Sequence, residues 1–366
     1  MIALVCDTPY QLVSAIFLAN SISRDEKLLI LLNQLWDKTA HQFDIDVSDE
    51  RIHGILYYGS EQMGMGMLLS GLYNPKKMLL RMEGFDKDID ISCIIASRTT
   101  WMATYLYYYF RKKNRNLKMY LIEEGAGEYS AKMLDTRFTR ACKMLHKKTH
   151  YDFIDAAYFS APGFYRHKTA FPVHKLPCSE SDTDSIRLID SIFDAQTELN
   201  KLVPYTYIFL DEAFHVDETG LGCTQDTILN IMKEVVPPEE IVVKMHPRTD
   251  SFRNDGVRAV YSKAPFELLP AHVNMDQKVL VSGISTAMLT SKLLYDQEPY
   301  LIFTYHLLED ILDMILPDKE VLQNVRDLME GVRSMYANKN KTFAPKTTEE
   351  LKQVLRQIQT ELKTAR

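Results

Sequence analysis

Short apolar runs alternate along the chain with longer stretches in which apolar and polar positions recur at helical spacing. Residues 2–7, 28–33, 52–58, 91–96, 118–122 and 156–159 read as strands, the last of them closing the first half. Between them, Thr8 suits a helix cap and Pro9 a first helical turn, with the helix continuing over 10–21; a second helix spans 101–113. From 166 to 185 the character changes, with Pro172, Pro177, Ser179, Ser181 and several charges marking a linker, and a helix over 184–202 follows. The alternation then restarts. Strands are predicted at 205–210, 240–244, 279–281 and 299–303, helices at 224–235 and 286–295, and a basic amphipathic helix at 347–366. No internal repeat or low-complexity tract interrupts the pattern.

Strands alternating with helices predict an α/β fold of two Rossmann-like domains, and 366 residues are the length for about two. The boundaries read from the pattern are 1–165, a linker and connecting helix over 166–203, a second domain over 204–345, and the terminal helix over 346–366. Such a pair predicts a central cleft enzyme. In parallel sheets ligands bind beyond the carboxyl ends of strands, where the strand order reverses, so residues just after strands carry the information.

Composition narrows the function classes. The chain is 46% hydrophobic and 25% charged, which excludes disorder and fibrous repeats. A net charge of −6 gives no basic field for nucleic acid. Five widely spaced cysteines without a CxxC pair argue against a disulfide framework and structural zinc. Met1 is followed at once by Ile-Ala-Leu-Val-Cys-Asp, and no window has the length of an apolar membrane span. A cytoplasmic protein is therefore expected, with peripheral contact at the inner face of a membrane, or a homodimer, compatible with the sequence.

Three groups follow strands. In Leu121-Ile122-Glu123-Glu124-Gly125-Ala126-Gly127-Glu128-Tyr129, two adjacent carboxylates end a strand and the glycines allow a tight turn. A partly desolvated carboxylate there can titrate in the range of a general base, although a solvated acidic turn has the same string. In Val243-Lys244-Met245-His246-Pro247-Arg248, a strand delivers an imidazole among basic neighbours, a setting for a phosphate; a lone His is more often structural. In Ser282-Gly283-Ile284-Ser285-Thr286, hydroxyls and free amides at a helix start make an anion site, and ordinary N-capping by Ser285 is compatible with it.

Other strings weigh less. Asp44-Ile-Asp46, Asp88-Ile-Asp90 and Asp182-Thr-Asp184 read as solvated loops more readily than as metal-binding DxD motifs. Gly64-Met65-Gly66 lacks dinucleotide spacing, and residues 63–67 suit a mobile lid or a buried filler equally. The tyrosines of 105–109, followed by Arg111, Lys112, Lys113 and Arg115, read as a solvated helix end before a membrane contact.

Acid-acid-Gly in the first domain, then His-Pro and Ser-Thr in the second, resembles the bacterial sialyltransferases, and most closely glycosyltransferase family 52, the lipooligosaccharide and capsule sialyltransferases. Asp7-Thr8-Pro9-Tyr10-Gln11-Leu12 is similar to that family's first strand–helix junction, and Glu128-Tyr129 fits the extended acidic motif. The resemblance covers residues 1 to about 300 and departs in Glu-Glu for an Asp-containing pair and Ser-Thr for Ser-Ser. It implies a GT-B fold with an N-terminal acceptor domain and a C-terminal CMP domain, and inverting transfer of sialic acid from CMP-sialic acid to a hydroxyl of a surface glycan. No cofactor or metal is implied. Glu123 is then the expected base and His246 assists the leaving phosphate. Ser285 and Thr286 bind its oxygens, and Glu267 accepts from ribose or cytosine. Thr8, Tyr10, Gln11, Glu124, Gly125, Lys244, Pro247 and Ser282 complete the expected binding set. Two alternatives stand beside this: a GT-B transferase with a UDP-sugar or CDP-linked donor, and a nucleotide-sugar binding protein without turnover, which has no use for Glu123-Glu124.

Overall fold

The computed structural model describes residues 1–33, 49–59, 65–129, 137–214, 223–249, 254, 256–316 and 318–365. It divides into two units, Met1–Phe193 and Asp194–Arg366.

The first unit is built on seven parallel strands: β1 (Ile2–Cys6), β2 (Leu28–Asn33), β3 (Ile52–Tyr58), β4 (Cys93–Ser97), β5 (Lys118–Ile122), β6 (Ala156–Phe159) and β7 (Val173–Lys175). Their order is β3-β2-β1-β4-β5-β6-β7. Ile2 pairs with both Leu28 and Cys93, so β1 lies at the centre, and all five of its residues are buried. A strand covered on both faces needs apolar side chains at every position, which is why this run does not alternate. Helix Pro9–Ile22 starts as its sequence dictates, with Thr8 Oγ1 accepting from the Gln11 N–H at 3.3 Å and Pro9 in the first turn. It is buried from Tyr10 to Asn20 and packs on helix Thr183–Phe193, to which Asn20 Nδ2 donates at Ser185 Oγ (2.6 Å).

The second unit has six parallel strands: β8 (Tyr207–Leu210), β9 (Ile241–Lys244), β10 (Arg258–Val260), β11 (Val279–Ser282), β12 (Tyr300–Phe303) and β13 (Thr342–Phe343), ordered β10-β9-β8-β11-β12-β13. Both sheets therefore run third-second-first-fourth-fifth-sixth, the first with a seventh strand added at its end, the doubly wound order, with one reversal each: between β1 and β4, and between β8 and β11. The two Rossmann-like α/β units expected from the pattern are present. Helix Thr348–Ala365 buries Leu351, Leu355, Ile358 and Leu362 along one face and packs on helix Gln225–Val235.

Some elements differ from the sequence pattern. β6 is not the last strand of the first sheet, because β7 follows it from within the stretch read as linker. Helix Trp101–Phe110 ends three residues before 113. The helix expected over 184–202 is two, Thr183–Phe193 and Ala195–Asn200, broken at Asp194 in the left-handed region (φ 46°, ψ 44°). That residue is also where the two units divide. Asp182 and Asp184 meet Arg24 at 3.4 and 3.1 Å, and Asp88 and Asp90 are exposed; Asp44, Asp46, Met63 and Gly64 lie outside the described residues. Cys6, Cys93 and Cys142 are buried, Cys178 and Cys223 half-buried, and none of the five is in a disulfide. No described helix is long and apolar enough to cross a membrane.

Candidate functional site

In the first unit the residues after β1, β4, β5 and β6 converge at the carboxyl edge of the sheet, beside the reversal of strand order. Gly125 makes the turn possible: its φ of +124° lies where a side chain is strained. Glu128 N–H then donates to Gly125 C=O at 3.0 Å and closes the short turn Ala126–Tyr129, bringing Tyr129 back against Glu123.

The adjacent glutamates differ sharply. Glu123 is 1% exposed. Its Oε1 accepts from Tyr10 OH, and its Oε2 from Tyr129 OH and from Ser160 N–H at 3.1 Å. Glu124 is half-buried; its Oε1 accepts from Ser97 Oγ (2.9 Å), Thr99 N–H (3.2 Å) and Thr99 Oγ1, and its Oε2 meets no donor among the described residues. The first acid of the motif is thus enclosed, and the second keeps an oxygen for a ligand. Burial raises the pKa of both. Glu128 is pushed to about 7 by burial, even with Arg98 Nε at 3.2 Å, because Glu124 and Glu123 add negative charge. Arg98 Nη2 is buried with no hydrogen-bond partner among the described residues.

The Asp7–Leu12 junction supports this edge from below. Asp7 accepts from Tyr58 OH (2.7 Å), Asn33 Nδ2 (2.9 Å) and Thr100 Oγ1 (2.9 Å), and its N–H donates to Gln11 Oε1 (2.6 Å). Thr8 caps the helix, Tyr10 donates to Glu123, and Gln11, 1% exposed, accepts from the Asp7 N–H, so Tyr10 is the one of the three that reaches an acid of the motif among the described residues.

In the second unit, β9 and β11 flank β8, which brings the His-Pro and Ser-Thr groups to the same carboxyl edge. His246 is half-buried. Its backbone N–H donates to Asp211 Oδ2 at 2.9 Å, and Thr249 Oγ1 donates to the same oxygen at 2.6 Å. Arg248 N–H donates to His246 Nδ1 at 3.1 Å, which assigns the ring proton of the neutral imidazole to Nε2. Pro247 sits inside this turn, closed by Thr249 N–H to His246 C=O at 3.0 Å. Lys244 is 8% exposed and donates to Met245 C=O. Burial lowers its pKa, while Glu267 and Asp211 act to raise it; burial likewise raises Glu267, which is half-buried in the turn Phe266–Leu268.

Ser282 is fully buried and spends its hydroxyl on Leu210 C=O at 3.0 Å. The residue at the N-cap of helix Ala287–Tyr295 is Thr286, not Ser285, and its side chain makes no capping bond. The Ser285 hydroxyl makes no hydrogen bond among the described residues.

Between these groups, at the end of β8, stand two residues that the sequence reading passed over. Asp211 holds the His246 turn. Glu212 is 9% exposed and accepts from Gly283 N–H (2.7 Å) and Ile284 N–H (2.9 Å). Burial, with the Asp211 charge, pushes its pKa up to about 7. The signal was available: both directly follow an apolar strand, the position already singled out after β5, β9 and β11. Among the described residues no cluster of three or more His, Cys, Asp or Glu has the arrangement of a metal site.

No protein-family model matches the sequence, and no curated protein matches it. Among solved structures, the chain is similar to UDP-N-acetylglucosamine 2-epimerase from Rickettsia bellii (12% identity, TM-score 0.44, covering 99% of this chain and 97% of that one). It is similar also to Arabidopsis thaliana UGT89C1 complexed with UDP-L-rhamnose (10% identity, TM-score 0.48, 100% and 91%). A third is the wall teichoic acid polymerase TagF (9% identity, TM-score 0.43, 100% and 89%).

Proposed function

We propose that the chain is an inverting, metal-independent glycosyltransferase of the GT-B class. In this reading it moves sialic acid from CMP-sialic acid to a hydroxyl of a bacterial surface glycan, lipooligosaccharide or capsule. The observation that carries the reading is the half-buried Glu124 carboxylate, one oxygen of which meets no donor among the described residues, at the carboxyl edge of the first sheet. A nucleotide-binding protein without turnover has no need of it.

The first unit activates the acceptor. Glu124 takes the acceptor proton as the hydroxyl oxygen bonds to the anomeric carbon and the bond from that carbon to the CMP phosphate oxygen breaks, so configuration inverts. Glu123, the base implied by the family resemblance, becomes a positioning residue here, because any approach to it is blocked by Tyr10, Tyr129 and Ser160. The second unit receives the leaving group, with His246 Nε2–H and the Ser285 and Thr286 hydroxyls as donors to phosphate.

The test is transfer measured with CMP-sialic acid, in excess EDTA and in Mg²⁺, for wild type, Glu124→Gln and Glu123→Gln. Loss of a general base costs roughly 10²–10⁴ in rate. Glu124→Gln should fall by that range with CMP affinity retained, and Glu123→Gln by less. Normal turnover by Glu124→Gln sinks the base assignment. Turnover with UDP or CDP donors alone replaces the donor, and a metal-reversible loss in EDTA removes the metal-free mechanism.

A further inference from the structure

Where strand order reverses in a doubly wound sheet, the first backbone amides after the strand are the natural seat of a ligand's phosphate. In the second unit that seat is filled from within. Glu212 sets its two carboxylate oxygens on the N–H groups of Gly283 and Ile284, at 2.7 and 2.9 Å. The fit is built on both sides. A Cβ on residue 283 would lie 2.7 Å from Glu212 Oε2 and 3.1 Å from Leu308 Cδ1, so glycine is what admits the carboxylate. The backbone of Glu212 is fixed in turn by the side chain of Gln225, which donates to its C=O at 2.7 Å and accepts from its N–H at 2.9 Å.

We propose that Glu212 occupies the anion seat of the second unit and sets its affinity for nucleotide phosphate, the phosphate binding as Glu212 takes up a proton. The proposal rests on the reading that residues 282–286 hold the donor phosphate.

The charges around Glu212 leave its own uncompensated. From its strand end it faces the Asp211 carboxylate, which in turn meets Lys244 and His246 of the β9 side; from helix Gln225–Val235 it faces the neutral Gln225 amide, and from the segment after β12 the apolar Leu308. Among the described residues no cation is ion-paired with it. Among the described residues, the backbone dipoles of Gly283 and Ile284 are what oppose its charge. A phosphate on Ser285 and Thr286 is two residues along the chain, about 6 Å away. At an effective dielectric near ~20, repulsion between one such pair of charges weakens binding roughly 100-fold. Protonation removes it, and a carboxyl already pushed to about 7 accepts that proton at neutral pH. The sign follows. Below about 7 the acid is neutral and the phosphate is received; above it the ionised acid keeps the amides.

The test is CMP binding by titration calorimetry at about pH 6 and about pH 8, each in buffers of different ionisation heat, for wild type and Glu212→Gln. Wild type should bind about tenfold or more tightly at the lower pH and take up more protons per CMP than the variant. At about pH 8 the variant should bind roughly 10–100-fold more tightly than wild type. Titration of His246 and of the CMP phosphate is common to both proteins and cancels in the comparison. Equal or weaker binding by the variant, or wild-type affinity that is flat with pH, overturns the proposal, and the second result does not depend on the variant folding. If neither protein binds CMP, CDP or UDP, the donor-site reading itself fails and takes the proposal with it.

Discussion

Gly283→Ala is the sharpest perturbation the second unit offers. The new methyl carbon would stand 2.7 Å from Glu212 Oε2, closer than carbon and oxygen pack, and 3.1 Å from Leu308 Cδ1 on its other side. Leu308 is fully buried, so the methyl displaces the carboxylate. Two hydrogen bonds to a charged acceptor are then lost, each worth about 1.5–3 kcal/mol, and two amide donors are left buried. Against that, the released carboxylate recovers solvation, which a rise from 4.5 to about 7 values at about 3 kcal/mol. The bonds outweigh the solvation by up to about 3 kcal/mol, and the two stranded amides add about 1 kcal/mol, a net loss of about 1–4 kcal/mol. For a unit of this size each kcal/mol lowers the melting temperature by about 2–4 °C, so a drop of roughly 2–16 °C is expected for the second unit. The assay is differential scanning calorimetry, with Gly163→Ala as control: a Cβ there meets nothing within 4 Å. If Gly283→Ala melts together with wild type, the carboxylate does not depend on this glycine, and the seat described above is not a tight one.

Two further outcomes are expected. Glu128 and Glu212 are both pushed from 4.5 to about 7, so the folded state holds more protons than the unfolded one between those values. Stability contributed by the two acids should therefore fall as pH rises from about 4.5 to about 7, by about 3 kcal/mol each, and flatten above; buried His150, lowered to about 4, opposes this below about 6.5. Urea titrations across that range check the sign, and stability rising steadily with pH would contradict it. Asp211→Ala frees the His246 N–H and Thr249 Oγ1 from their shared acceptor, so CMP affinity should weaken roughly tenfold; unchanged affinity would separate the His246 turn from phosphate binding.

Much of this architecture was legible in the sequence because its central strands are buried on both faces. Runs such as Leu28–Asn33 and Lys118–Ile122 are bounded by polar or turn residues, and the strands end where the runs do. β13, two residues long, and β7, with two of three residues exposed, have no such run to announce them. The break at Asp194 was equally hidden, since a left-handed residue leaves helical periodicity intact on either side. The site divides in the same way. Residue types after β5, β9 and β11 marked the right edge of each sheet, whereas the inequality of Glu123 and Glu124 depends on Tyr10, over a hundred residues away, and on Tyr129. Glu212 was missed because an acid after a strand looks solvated until its amide partners, some seventy residues later, are known.

The cysteines give the molecule a native pair of reporters. Cys6, Cys93 and Cys142 are buried, and burial pushes each thiol up, Cys142 to about 11, so none offers an accessible thiolate at neutral pH. Cys178 and Cys223 are half-buried, and one belongs to each unit. Burial raises the Cys223 thiol as well, but Cys178 and Cys223 keep exposed surface that the other three lack, so maleimide should label these two first, one in each unit. A dye on each unit lets a nucleotide titration be read from both, with no mutation to complicate the reading.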